Sequence, residues 1–445
     1  MTADSRAYRW LRRLVAAEPH EVAALLWSFA YFFCLLCGYY ILRPLREEMG
    51  IAGGVKNLPW VFTGTFVAML AAVPLFGALT AHFPRRQFLP AVYLFFIANI
   101  LIFYALFQSG LERAWLARAF FIWVSVFNLF VVSVFWSFMV DLYAEAQARR
   151  LFGFIAAGGS AGAITGPAIT ALLAAPLGPI NLLLVSSVFL AGALVCIWAL
   201  IRWAHAETAQ PDAHPDRTAD EPLGGGVLAG VTLLARSAYL LGIALFIFLF
   251  TMLGTFAYFT QAHIVAAASS DPAQRTALFA AIDLGVNVLT IGVQMFVTGR
   301  LLTRFGLGPT LAAVPVISAV GFVALGVAPI LPVLVAFQIA RRAGEYALTR
   351  PAREVLFTVM GREVKYKAKN FIDTVVFRGG DALSAWLFAG IKGLGLSLAG
   401  MAWLAVPITG LYISVALWLA RRERVLRGNS NARNTGAEAH GTVAS

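Results

Sequence analysis

Apolar residues come in long runs along this chain, separated by short polar and basic clusters. Twelve of the runs approach the ~20 residues that a helix needs to cross a bilayer. They fall at 22–42, 58–79, 88–108, 117–140, 151–175, 179–203, 237–262, 276–299, 308–328, 330–350, 370–392 and 396–420. The first, Val22 to Leu42, is of spanning length and has no evident small-residue cleavage site, so it reads as a helix and not as a leader.

Composition agrees. The 445 residues are 60% hydrophobic and 13% charged, where a soluble chain carries about 25% charged residues. That shortage of charge makes the chain an integral membrane protein. The net charge of +12 does not mark a nucleic-acid surface, because the basic residues sit in short clusters between apolar runs. Three cysteines exclude a disulfide scaffold, and Cys34 and Cys37 lie mid-span as core residues.

The basic clusters alternate in side. Arg6, Arg9, Arg12 and Arg13, then Arg85 and Arg86, Arg149 and Arg150, Arg300 and Arg304, the 350–369 cluster and Arg421 to Arg427 fall on one face of the twelve-span order. By the positive-inside rule both termini are expected in the cytoplasm. Residues 205–226, rich in Pro, Gly and acid, read as a linker between two halves, and the polar tail from Gly428 reads as disordered.

The halves echo each other. Gly77, Leu79 and Phe83 recur as Gly299, Leu301 and Phe305, an offset of 222 residues, and Gly158-Gly159 recurs as Gly379-Gly380, an offset of 221. Duplicated halves are the usual build of secondary transporters. The two loops resemble the signature G-x-L-x-D-R-x-G-R-R of the major facilitator superfamily, with Ala81 and Thr303 where the Asp would stand.

Charge inside the spans is the chemistry to explain. The stretch 341–382 begins and ends in apolar helices, yet holds Arg341, Arg342, Glu345, Asp373, Arg378 and Asp381 around a loop with Arg350, Arg353, Arg362, Lys365, Lys367 and Lys369. Arg341 lies eleven residues into its span, about 16 Å deep in a ~30 Å core. A charge there costs roughly 2.5–3.5 kcal/mol, so it pairs or lines a water-filled cavity. Two readings follow. Arg341–Glu345 and Arg378–Asp381 are closed ion pairs, or the guanidinium forks meet an anionic substrate bidentately. Helix 1 adds Arg43, Arg46, Glu47 and Glu48 around Pro44, and helix 8 adds Asp283, Asn287 and Gln294 at helical spacing. Gly158, Gly162 and Gly166 form a strip for close helix packing. Asp141, Arg149, Arg150 and Arg304 are the gate candidates. The histidines lack metal-ligand spacing and there is no G-x-x-x-x-G-K-[ST], so neither a metal, another cofactor nor ATP hydrolysis is expected.

Three stretches carry a closer resemblance: YYILRPLREEMG at 39–50, FWSFMVDLYAEAQARRLFGFIAAGGSAG at 135–162, and RPAREVLFTVMGREVKYKAKNFIDTVVFRGGDA at 350–382. They resemble the ATP/ADP translocase-type family of nucleotide exchangers. The resemblance implies an exchanger of nucleoside phosphates with a major-facilitator-like build. It also implies phosphate contact by Arg46 and Arg378, where the family's exchangers carry Lys. The family's glutamates in helices 4 and 7 are not matched: helix 4 offers Asn128 at that level, and helix 7 (243–260) has no acid.

The expectation is an all-α integral membrane protein, with twelve transmembrane helices in two pseudo-symmetric six-helix bundles, major facilitator-like. A basic cytoplasmic segment 1–21 precedes bundle 22–203, linker 204–236, bundle 237–420 and a cytoplasmic tail 421–445. It is expected to be a multi-pass secondary transporter of the inner (plasma) membrane, not an enzyme, with a small organic anion as substrate and a nucleotide as first candidate. Arg46, Arg341 and Arg378 are assigned to the anion, with Asp381 and Glu345 positioning them or carrying protons; Arg43, Asn128 and Asp283 complete the set. A proton-coupled carrier of another small anion or amphiphile, and a non-transporting receptor or scaffold, stay open. Lipid is an expected partner and nucleic acid is not.

Overall fold

The structure, a computed structural model, describes residues 18–82, 85–208, 237–360, 368–369 and 371–441. The basic segment before residue 18, most of the 205–226 linker, and Arg362, Lys365 and Lys367 lie outside the described residues, as do the side chains of the 77–86 repeat.

Twelve helices order the described chain, because a backbone in hydrocarbon must satisfy its own polar groups. In the first half they are α1 (Val22–Ala52), α2 (Leu58–His82), α3 (Arg85–Gln108), α4 (Arg113–Leu142), α5 (Glu145–Leu177) and α6 (Leu182–Thr208). In the second they are α7 (Ala238–Ala268), α8 (Pro272–Arg304), α9 (Leu307–Val327), α10 (Leu331–Gly344 and onward), α11 (from Ile372 to Gly393) and α12 (Leu398–Gly441). Nine helices among the described residues are long and apolar enough to cross a membrane. Neither α10 nor α11 is one of the nine, and these carry the intramembrane charge. Trp60, Phe95, Leu172, Val188 and Val320 are exposed, as suits a surface whose solvent is lipid.

Pro44 sits inside α1, which continues unbroken to Ala52. One feature departs from expectation. The helix of α12 runs on to Gly441, past Gly428, where composition reads as disorder. Extending a helix already nucleated in the apolar segment costs far less than starting one, which lets a weakly helical sequence follow.

The chain forms two compact units, Met1–Ala219 with Ser269–Asn287, and Asp220–Ala268 with Val288–Ser445. In the first, α1 packs on α4, α5 and α6, and α3 on α6. In the second the same pairings recur six helices later: α7 packs on α10, α11 and α12, and α9 on α12.

The glycine strip explains the α1–α5 contact. A Cβ on Gly158 would meet the Phe29 carbonyl oxygen at 2.5 Å, one on Gly166 would meet that of Cys37 at 2.7 Å, and one on Gly162 would strike the Phe33 carbonyl. Backbone lies against backbone there, and backbone cannot swing aside. The echo holds in the second unit, where a Cβ on Gly380 of α11 would meet Thr251 Oγ1 of α7 at 2.5 Å. Gly162→Val is therefore expected to destabilise the protein by about 1–3 kcal/mol through overpacking. Thermal unfolding in detergent reads this, and an unshifted midpoint would contradict the packing.

Candidate functional site

The structure distributes the candidate residues between the units. In the first unit, α1 presents Arg43 and Arg46 near its C-terminal end. Arg46 is clamped on three sides: its guanidinium lies 3.9 Å over the Phe121 ring, Nε donates to Ser125 Oγ at 3.0 Å, and Nη1 donates to Glu47 Oε1 at 3.0 Å. Arg43 Nε lies 3.6 Å from Asp283 Oδ2 of α8. Asn128 is half-buried on α4 and makes no hydrogen bond with a described residue. Asn287, one turn beyond Asp283, donates to the Ala163 carbonyl at 2.6 Å.

A pair that the sequence analysis did not assign lies beside these groups. Glu48 is fully buried, and Arg275 of α8 grips it bidentately, with Nε to Oε2 at 2.6 Å and Nη2 to Oε1 at 2.7 Å. Arg275 also donates to the Ser269 carbonyl at 3.1 Å. No local spacing announces the pair, because 227 residues separate its partners.

The gate candidates are placed as follows. Arg149 pairs with Glu145 one turn away, at 2.5 Å on the exposed face of α5. Arg150 binds Glu21 at 2.9 Å and reaches Glu18 at 3.7 Å. Burial raises the Glu21 carboxyl, but the Glu18 backbone N–H, Gln147 and Arg150 together bring it below the usual carboxylate range. Glu18, His20 and Glu21 have their ligand atoms within 4.8 Å of one another, but Arg150 already occupies the carboxylates, so this cluster is a poor metal seat. Asp141 lies exposed at the end of α4, and Arg304 lies exposed at the end of α8 without an ion pair among the described residues.

In the second unit three helices contain a widened π-helical turn: Gln294–Thr298 in α8, Glu345–Thr349 in α10 and Ile372–Val376 in α11. Such turns insert a residue and often mark functional sites. The α8 turn is tied to the α10 turn, with Gln294 Nε2 donating to the Tyr346 carbonyl at 3.3 Å and Thr298 Oγ1 to that of Ala347 at 2.9 Å. The α10 turn redirects Glu345. Ordinary helical spacing puts it on the face of Arg341, but in a π turn residues five apart stack, and Glu345 instead lies 3.6 Å from Arg350.

Arg341 is thereby left with little company. It is buried, its Nη2 donates to Gln338 Oε1 at 3.2 Å, and its Nε has no hydrogen-bond partner. Among the described residues it forms no ion pair. Gly254 of α7 lies beside it: a Cβ there would stand 3.4 Å from Arg341 Nη1, an ordinary contact.

Arg378 meets Asp381 at 3.7 Å, and Asp381 accepts from Thr255 Oγ1 at 3.3 Å. Arg378 does not close into a dry seam. It lines a cavity of about 270 Å³ together with Glu345, Thr349, Arg350, Arg353 and Asp373, against an apolar wall from α7 and Phe377. Arg341 and Asp381 are not part of that lining.

Two helical units that repeat one packing scheme, the second with a charged cavity among apolar spans, have the design of a membrane transporter. The family model of the Major Facilitator Superfamily matches residues 22–344, and the chain belongs to that superfamily. It is a distant relative of ADP,ATP carriers. It is 23% identical to ADP,ATP carrier protein 1 of Chlamydia muridarum, covering 90% of this chain and 87% of that one, and 22% identical to its counterpart in Chlamydia trachomatis over the same shares. Among solved structures it shares its fold with a mutant of the nucleoside transporter NupG, at a TM-score of 0.60 and 12% identity over 91% of this chain and 99% of that one. The POT-family transporter PepTSo gives a TM-score of 0.61 at 14% identity, covering 91% and 98%.

Proposed function

We propose that this protein is a secondary transporter that moves an organic anion, a nucleotide first among the candidates, by alternating access. The observation that carries the reading is Arg378, a guanidinium on a membrane helix that opens into a 270 Å³ chamber where a closed ion pair would have left none. An anion entering that chamber finds planar donors suited to phosphate or carboxylate. The relationship to ADP,ATP carriers supports a nucleotide, and Arg46 takes the second assigned contact in this reading. The six-helix bundles 22–203 and 237–420 are the rocking halves, in an inner membrane with both termini cytoplasmic, as the positive-inside rule requires.

The test is exchange in proteoliposomes. Labelled ATP outside is expected to enter vesicles preloaded with ADP and to stay out of empty ones. Uptake into empty vesicles driven by a pH jump would replace exchange with proton coupling. If labelled nucleotides enter under neither condition, the nucleotide assignment fails.

A further inference from the structure

Five arginines collect at one end of the second unit. Arg300 and Arg304 stand one turn apart at the end of α8, and Arg421, Arg422 and Arg424 follow the apolar run of α12. All five are exposed, and none forms an ion pair with a described residue. Packing brings the two groups together. A Cβ on Gly308, in the first turn of α9, would stand 3.5 Å from the Ala420 Cβ and 3.9 Å from the Leu417 side chain of α12. Arg304 lies four residues before Gly308, across the turn that Gly306 makes at φ +80°. Helical spacing puts Arg421 and Arg424 on the same face of α12 as Leu417 and Ala420, beside that turn.

The acids of this end are already engaged. No Asp or Glu occurs between Asp283 and Glu345, and Glu423 is the one acid of α12 before Gly428. Glu423 is buried and accepts from Arg427 Nε at 2.7 Å. Glu345 meets Arg350, and Glu354 meets Lys369. Apolar surface accompanies the charge. Phe305, next to Arg304, is 66% exposed, and Trp418, one turn before Arg422 on the same face, is 41% exposed. An exposed Trp closing an apolar run marks the level of the bilayer interface. The arginines therefore stand at the depth of the lipid headgroups, which favours a lipid over a soluble partner.

We propose that this end of α8, α9 and α12 is a binding site for an anionic phospholipid of the adjacent leaflet. Arg304, Arg421 and Arg424 grip the phosphodiester with their forks. Arg300 and Arg422 flank the headgroup, and the acyl chains pass Phe305 and Trp418. The inference goes beyond the transport reading and does not depend on what the chamber carries.

Basic residues beyond a membrane helix attract anionic lipid wherever they lie. In a diffuse field any two arginines of that side count alike, whereas in a built site these count more. The purified full chain, in a neutral detergent, is titrated with phosphatidylglycerol and with phosphatidylcholine, and bound lipid is counted by native mass spectrometry. Phosphatidylglycerol is expected to bind tighter by roughly tenfold or more, and the affinity to fall roughly fivefold for each arginine lost. Arg304→Gln and the double variant Arg421→Gln with Arg424→Gln measure that loss. Arg149→Gln with Arg202→Gln removes the same charge from exposed helix ends of the first unit, and is expected to change affinity less than about twofold, since salt screens distant exposed charges. Thermal unfolding without added lipid checks folding, and if the double variant melts early, Arg304→Gln alone reads the loss.

Equal binding of the two lipids would overturn the site. So would a control pair that loses as much affinity as Arg421→Gln with Arg424→Gln, because the attraction would then be diffuse. Glycerol phosphate, which offers the phosphate without the chains, is expected to bind far more weakly than phosphatidylglycerol. If it bound equally well, the site would belong to a soluble oxyanion and the lipid assignment would fall.

Discussion

Glu48→Ala, with Arg275 left in place, is expected to destabilise the protein by about 3–5 kcal/mol. Glu48 is fully buried and Arg275 nearly so. Both guanidinium–carboxylate contacts are short, at 2.6 and 2.7 Å. Removing one partner strands a charge away from water, and among the described residues the Ser269 carbonyl is the hydrogen-bond acceptor that Arg275 keeps. Replacing both, as Glu48→Leu with Arg275→Met, is expected to recover most of the loss, because a well-packed apolar pair costs no desolvation. The midpoint of thermal unfolding, followed by tryptophan fluorescence on purified protein, compares the three variants. A single variant that melts with the original protein would mean that water reaches the pair.

Arg378→Ala is expected to abolish uptake and leave the protein folded. The side chain is about one-third exposed, so its loss opens no hole in a packed core. In the proposed role, the loss is one charge-assisted contact to the anion, about 1.5–3 kcal/mol, or roughly ten- to a hundredfold in affinity. Arg378→Lys is expected to keep part of the activity, since Lys keeps the charge without the fork. Uptake of labelled ATP is measured beside thermal stability, so that a folding defect is seen as such. Unchanged transport kinetics in Arg378→Ala would remove this residue from the site.

Much of this was legible in the residues. The twelve apolar runs gave the helices, and the echo of Gly158-Gly159 in Gly379-Gly380 returned as matching close contacts, α5 on α1 and α11 on α7. Gly, placed every fourth residue, speaks for itself because it alone permits that approach. The stretch from 341 to 382 was conspicuous for the same kind of reason: charge in an apolar span has few explanations. The partners of that charge were not legible. Helical spacing points Glu345 at Arg341, and one inserted residue in a π turn sends it to Arg350 instead. Glu48 reads as one more polar residue at a helix end until Arg275 arrives from 227 residues away. Arg353 and Thr349 sat inside the conspicuous stretch, but nothing in their spacing set them apart from their neighbours.

The sequence by itself determined that this chain is a bundle of membrane helices with charge at half depth. Hydrocarbon imposes those terms on any backbone, and they can be counted residue by residue. Only the tertiary structure decided which guanidinium is enclosed with a carboxylate, which is left with an amide, and which opens into a cavity. Those outcomes depend on the rotation of each helix about its axis, and a single extra residue in a turn shifts that rotation by more than a side chain can correct.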